Sequence, residues 1–262
     1  MTIIPSKEFV DLFKSTPGAL SVCESIAIIN LAATAPNGVY MECGSHAGKS
    51  GMSAAYSLPS YKLTEQEVTT LVGMGHKFSE GSTLYAPLPY YLIDPCFDLK
   101  NLEAWKHTIQ EHPDNIGWPH VTKNDFNEKV KERITAASGG KITPVLMGDY
   151  SENVLPKFEG YGWVFIDSDN HQHERVFGEI NMIKDKMVQG GIIAFHDFGN
   201  QYISPQEAHA YLIGTGEFEN IPIDWTSIFN YVRENKLEEG NDSWHEKGSE
   251  EFPKFVGAVR RK

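Results

Sequence analysis

The sequence predicts an α/β fold, a mainly parallel seven-stranded sheet with helices on both faces. Three observations carry this. Short apolar runs alternate with segments of helical period through most of the chain. Five of these runs end on or beside an acid, namely Glu42, Asp94, Asp149, Asp167 and Asp197. The first run also turns through Gly44 and Gly48 into a segment rich in Ala and Ser. Apolar runs without polar alternation suit strands covered on both faces, as in a parallel sheet.

Within an N-terminal helical region, residues 1–37, Ser21-x-x-Glu24 has the form of a capping box. Ile26, Ile29 and Ala33 beyond it share one helical face, so a helix leads into the first strand at Gly38. Residues 48–58 read as the next helix. Residues 59–89 carry Ser, Gly, Pro and scattered aromatics without a clear period, and a stretch of about thirty residues exceeds ordinary connections. We read it as an insertion on the substrate side. Residues 90–93 form the second strand, closed by Asp94. Phe126, Val130, Ile134 and Ala137 then recur at helical spacing, with Asp125 as the expected cap and Gly139-Gly140 as the stop. Residues 142–147 are the third strand and 162–166 the fourth, closed by Asp167. The following helix is expected to bury Val176, Ile180, Ile183 and Met187 and to end at Gly190-Gly191, where residues 191–195 run as the fifth strand into His196-Asp197. In the C-terminal elaboration, residues 198–262, segments 206–213 and 226–232 look helical and 255–259 looks like a last strand. Residues 237–251 read as an acidic surface segment. We take the whole chain as one domain.

A chain of 262 residues can bury a full core. Its 40% apolar and 22% charged content is that of a globular protein, not of a disordered or fibrous one. The net charge of −12, with no cluster of Lys and Arg, disfavours nucleic acid as a partner, since phosphate contacts need clustered cations. Cys23, Cys43 and Cys96 lie far apart, and this odd count suits a reducing compartment. No run approaches the ~18 apolar residues of a membrane span, and the N-terminus lacks the pattern of a secretory signal, so the expected location is the cytoplasm.

In an open parallel sheet, ligands bind beyond the carboxyl ends of the strands, where strand order reverses. The five acids fall there. One such acid can be a helix cap, an equally good reading of Asp149 alone; five in series indicate a site. Glu42-Cys43-Gly44-Ser45-His46-Ala47-Gly48-Lys49-Ser50 places two glycines, whose main chain can approach a bound molecule, before a helix N-terminus with unpaired N–H groups. A carboxylate at the strand tip repels phosphate and suits a ligand with an ammonium or hydroxyl group. Gly48-Lys49-Ser50 looks like the end of a P-loop, but Cys43 stands where the first glycine of that loop would be.

Residues 42–50, followed in order by Ile93-Asp94-Pro95, Ile166-Asp167-Ser168-Asp169-Asn170-His171 and Gly190-Gly191-Ile192-Ile193-Ala194-Phe195-His196-Asp197, resemble the motifs of a known family. They are similar to the Rossmann-like class I S-adenosylmethionine-dependent methyltransferases, and within these to the small-molecule O-methyltransferase branch. The resemblance covers residues 21–197. Two departures stand out. Asp94 follows Glu42 by 52 positions where about twenty is usual, and the 59–89 insertion accounts for the excess. Asn170 displaces the histidine after Asp169 by one.

The resemblance implies S-adenosyl-L-methionine as cofactor, held by Glu42, Gly44, Ser45, Gly48, Ser50, Asp94, Asp149 and Asp167. Glu42 would help position the amino group, Gly44 and Gly48 would pass beneath the methionine part, Asp94 would take both ribose hydroxyls, and Asp149 would lie near the adenine edge. Asp167 and Asp197 are the expected ligands of Mg²⁺, which would hold an acceptor hydroxyl and lower its pKa. His171 or His196, with Asp167, are the expected catalytic groups. The implied reaction is methyl transfer to a hydroxyl of a small molecule, a sugar or a secondary metabolite, without nucleic acid or membrane as partner; a homo-oligomer is left open. Two other readings stay open as well. An NAD(P)-dependent oxidoreductase shares the strand, turn and acid, although G-x-G-x-x-G is absent, and a catalytically silent protein could keep the cofactor pocket alone.

Overall fold

The structure, a computed structural model, describes residues 2–18, 20–62, 85–86, 88–98, 123–168, 172–199, 203–237 and 256–262. Two helices precede the sheet. Ser6 caps α1 (Lys7–Lys14) by accepting from the Phe9 N–H at 3.2 Å, and the helix buries Phe9, Val10 and Phe13. α2 (Val22–Ala32) starts at the expected capping box: Ser21 Oγ accepts from the Glu24 N–H, and the Glu24 carboxylate accepts from the Ser21 N–H. Its apolar surface runs all the way round, with Cys23, Ile26, Ala27, Ile28, Ile29 and Leu31 all buried, so α2 is a core helix and not a surface one.

The chain continues through β1 (Val39–Cys43), α3 (Lys49–Ser57), β2 (Tyr61–Lys62), β3 (Tyr85–Ala86), β4 (Leu88–Ile93), α4 (Lys123–Ala137) and β5 (Ile142–Met147). It then forms α5 (Ser151–Val154), β6 (Tyr161–Ile166), α6 (His173–Ile183), β7 (Met187–Phe195), α7 (Ser204–Gly214), β8 (Phe218–Asn220), α8 (Trp225–Glu234) and β9 (Gly257–Arg261). Seven strands make one sheet in the order β5-β4-β1-β6-β7-β9-β8. The first five pair in parallel, while β9 runs antiparallel to both β7 and β8. From β1 the chain steps outward to β4 and β5, then returns to the other side of β1 for β6 and β7. The reversal therefore falls at β1, where such sheets open a crevice.

Side chains alternate across the sheet, which divides the core in two. Tyr40, Tyr90, Leu92, Trp163, Phe165, Ile192 and Ala194 pack with α2, α3, α4 and α8. Met41, Cys43, Ile93, Val164, Ile166, Ile193 and Phe195 pack with α6 and α7. Glu42, two residues from Tyr40, shares the α3 face.

Several expected boundaries shift. Asp125 lies in the first turn of α4 and is not its cap, because the helix already begins at Lys123. Met187 opens β7; α6 ends at Ile183, and a single tight turn over Lys184–Lys186 joins the two. Gly190-Gly191 does not stop the helix. It lies within β7, where pairing moves from Tyr161↔Met187 to Trp163↔Ile192. Gly190 has φ +78°, and a Cβ on Gly191 would come within 2.7 Å of the Tyr161 carbonyl oxygen, so the pair makes a bulge that only glycines allow. β8 was not among the expected strands, being too short to show a period. Of the insertion, residues 63–84 and 87 lie outside the described residues; its ends close as an antiparallel pair, Tyr61↔Ala86 and Lys62↔Tyr85. Most of the acidic segment 237–251, and Phe255, also lie outside them. Among the described residues, no helix is long and apolar enough to cross a membrane.

Candidate active site at the carboxyl ends of the strands

The loop after β1 is shaped by what surrounds it. Gly44 has φ +84°, and a Cβ there would overlap the carbonyl oxygen of Asp167, so the loops after β1 and β6 cross in direct contact. The Gly44 N–H donates to the Ile93 carbonyl and the Asp167 N–H to the Cys43 carbonyl, both at 2.9 Å, which ties together the ends of β1, β4 and β6. Gly48, at φ +79°, leads into α3. Between the two glycines His46 takes φ +41°, and its N–H donates to Asp94 Oδ2 at 2.8 Å, while the Cys96 N–H donates to Oδ1 at 2.8 Å. Asp94 thus holds the glycine loop to the end of β4.

Two cavities open beside this loop. The larger, about 310 Å³, is lined by Gly44, Ser45, His46, Ser50, Asp94, Asp167, His196 and Asp197, and is walled on one side by Pro17, Gly18 and Leu20. The smaller, about 120 Å³, is lined by Ile93, Pro95, Asp149, Tyr150, Ser151, Ser168 and Arg175. Gly44 and Asp94 border both.

Of the residues expected at the site, Glu42 is placed differently from the rest. It is 0% exposed and lines neither cavity. Its carboxylate accepts from the Ser50 hydroxyl and the Tyr90 hydroxyl, each at 2.7 Å, beneath the loop. Burial pushes its pKa up to about 7, against the opposing pull of those hydrogen bonds. Asp149 borders the smaller cavity and also starts the short helix α5: its Oδ1 accepts from the Tyr150 N–H and from Asn153 Nδ2, both at 2.8 Å. These bonds, the Asn153 amide first, lower its pKa. His171, with Asp169 and Asn170, lies outside the described residues.

Asp167, His196 and Asp197 come together. Their ligand atoms lie within 4.8 Å of one another. His196 Nδ1 is 3.0 Å from Asp167 Oδ1 and 3.8 Å from Asp197 Oδ2, and Nε2 is 3.0 Å from Glu24 Oε1. Burial works to lower the pKa of His196, but the Asp167 and Glu24 carboxylates outweigh it and hold it well above the ordinary imidazole value. Sequence reasoning saw Glu24 only as half of a capping box. Two further contacts went unseen. Lys49 donates to the Gly18 carbonyl at 3.1 Å and sits 4.4 Å over the Phe13 ring, fastening the cavity wall to α3. Glu179, 1% exposed, accepts from the hydroxyls of Ser151 and Ser168, which border the smaller cavity, and burial raises its pKa. A Glu within a helical pattern carries no signal of such partners.

Residues 41–198 match the family described as "Methyltransferase domain". Among solved structures, the chain is similar to the O-methyltransferase NovP, with 11% identity, 92% of this chain and 81% of that chain covered, and a TM-score of 0.47. It is similar also to the O-methyltransferase TomG from Streptomyces achromogenes, involved in tomaymycin synthesis and solved with S-adenosylmethionine, with 13% identity, 85% of each chain covered and a TM-score of 0.46. A third similar structure is a precorrin 8w decarboxylase from Methanobacterium thermoautotrophicum, with 15% identity, 98% of each chain covered and a TM-score of 0.47. No curated protein matches the chain.

Proposed function

The chain belongs to the methyltransferase-domain family, and from this premise we propose that it transfers a methyl group from S-adenosylmethionine to a hydroxyl of a small molecule. The observation that carries the reading is the position of Asp94 on the border of both cavities, at the end of β4 and next to β1, where strand order reverses. Each Asp94 oxygen accepts one main-chain N–H and keeps lone-pair capacity for a further donor, which suits a ribose diol. We assign the ribose to Asp94, the methionine part to the cavity over residues 44–47, and the adenine to the smaller cavity beside Asp149, against Ile93 and Pro95. Glu42 holds the loop from below through Ser50, and Gly48 lets the chain turn into α3.

S-adenosylmethionine supplies a methyl group on a sulfonium, which an acceptor oxygen takes in line. Asp167, His196 and Asp197 form the acceptor end of the larger cavity in this reading. The His196 Nε2–H is held by Glu24, so the proton that can exchange with an acceptor is the one between Nδ1 and Asp167. A divalent cation such as Mg²⁺ fits the two carboxylates, hard oxygen donors on adjacent strand ends. Both ring nitrogens of His196 already face carboxylates, so Asp167 and Asp197 are the residues that would hold it, and it would lower the pKa of a bound hydroxyl.

Titration calorimetry is expected to show binding of S-adenosylhomocysteine and none of NAD; the opposite result overturns the reading. Asp94→Ala is expected to weaken that binding by roughly 2 kcal/mol through loss of charge-assisted hydrogen bonds. Unchanged affinity would place the ribose elsewhere. Dialysis against EDTA is expected to lower turnover of a hydroxylated acceptor, and Mg²⁺ to restore it. A rate that ignores both treatments removes the metal from Asp167 and Asp197.

A further inference from the structure

Glu24 is a buried carboxylate on the second helix, far in sequence from the strand ends, and its capping role uses only half of it. Oε2 accepts from the Ser21 N–H at 2.8 Å, which completes the box. Oε1 is left over, and it meets His196 Nε2 at 3.0 Å across 172 positions of sequence. The Glu24 side chain is 4% exposed and that of His196 12%. A capping glutamate needs no such burial, because the N-terminus of a helix is well served by a carboxylate in water. Placing it here sets an acceptor-only group against one particular nitrogen of the ring.

We propose that Glu24 is a positioning residue: from the first turn of α2 it holds the Nε2–H of His196 and so aims Nδ1 at Asp167 and Asp197. The inference rests on the methyl-transfer reading of the same site. An imidazole can present either nitrogen by turning about its χ2 axis, and a carboxylate on one nitrogen fixes which of them faces the reaction. With Glu24 in place, the nitrogen 3.0 Å from Asp167 Oδ1 and 3.8 Å from Asp197 Oδ2 is Nδ1. Since Glu24 also binds Ser21, the cavity wall at Pro17, Gly18 and Leu20 is connected to the same ring through one side chain.

Glu24→Gln keeps the shape of the side chain and removes its charge. Turnover number is expected to fall ~10–100-fold, the range for outer partners of a functional histidine, while KM for both substrates and affinity for S-adenosylhomocysteine stay within about threefold. In the wild type, a nitrogen–proton NMR correlation of the His196 ring should show an Nε2–H that exchanges slowly with water, and Glu24→Ala, which leaves no acceptor at that nitrogen, should lose that protection. Ser21→Ala, which removes only the capping hydroxyl, is expected to lower the thermal midpoint by about 2–4 °C without this kinetic signature. The proposal is overturned if Glu24→Gln turns over like the wild type, if its loss lies in KM alone, or if the wild-type ring shows no protected Nε2–H. A wild type that binds no S-adenosylhomocysteine overturns the functional reading first, and the positioning role with it.

Discussion

Gly44→Ala is expected to destabilise the fold by about 3–5 kcal/mol, a large part of the 5–15 kcal/mol that holds a typical domain together. Two causes add. At φ +84° an alanine sits in the left-handed region, which costs about 1 kcal/mol or more for a residue with a Cβ. The larger cause is the carbonyl oxygen of Asp167, which occupies the place where that Cβ would go. It belongs to the main chain and cannot rotate away, so β1 and β6 would have to part where Gly44 and Asp167 each donate to a neighbouring strand. Gly139→Ala separates the two causes. Its φ is +60°, but nothing lies within 4 Å of the added atom, so only the conformational penalty of about 1 kcal/mol applies. Urea unfolding of both variants is the measurement. Equal losses would show that the loop after β1 can yield, and that its contact with Asp167 is not a constraint.

The second large effect is one of pH. The Glu42 carboxyl has a pKa of about 7 in the folded protein, against 4.5 for the free group. Between those values the folded state binds the extra proton, so the contribution of Glu42 to stability is full below about pH 4.5, falls as pH rises through about 7, and is flat beyond. The shift corresponds to roughly 3 kcal/mol. Glu42→Gln cannot titrate. Its amide can still meet the hydroxyls of Ser50 and Tyr90, each of which can donate or accept. The difference in unfolding free energy between wild type and variant is therefore expected to move by roughly 3 kcal/mol in favour of the variant between pH 4.5 and pH 8. Stability curves that stay parallel over this window would show that Glu42 does not take up a proton there.

What the sequence made legible was whatever repeats at short range. The apolar runs of β1, β4, β5 and β6, the capping box at Ser21 and the glycine turn at Gly44 and Gly48 all declare themselves within a few residues, and the acids at the strand ends follow from them. Gly190-Gly191 misled because two glycines after a helical pattern look like a stop, whereas the reason for them lies across the sheet in the carbonyl of Tyr161. Met187 fell into the helical stripe because one tight turn keeps the spacing. The placement of Glu42 was within reach: the period of two that puts Tyr40 on the α3 face puts Glu42 there as well. The bond from His196 to Glu24 was not, since no local pattern announces a partner 172 positions away.

The position of β9 has a bearing on how the molecule is made. It lies inside the sheet, between β7 and β8, although both precede it in the chain, and it is the one strand that β8 pairs with among the described residues. During synthesis β8 can therefore emerge from the ribosome and pack Phe218 against α7, yet it has no strand to pair with until residues 257–261 have followed. The edge of the sheet is completed from the inside, by a strand made after both of its neighbours, and a nascent chain stalled before that point carries an open β7 flank for chaperones to cover.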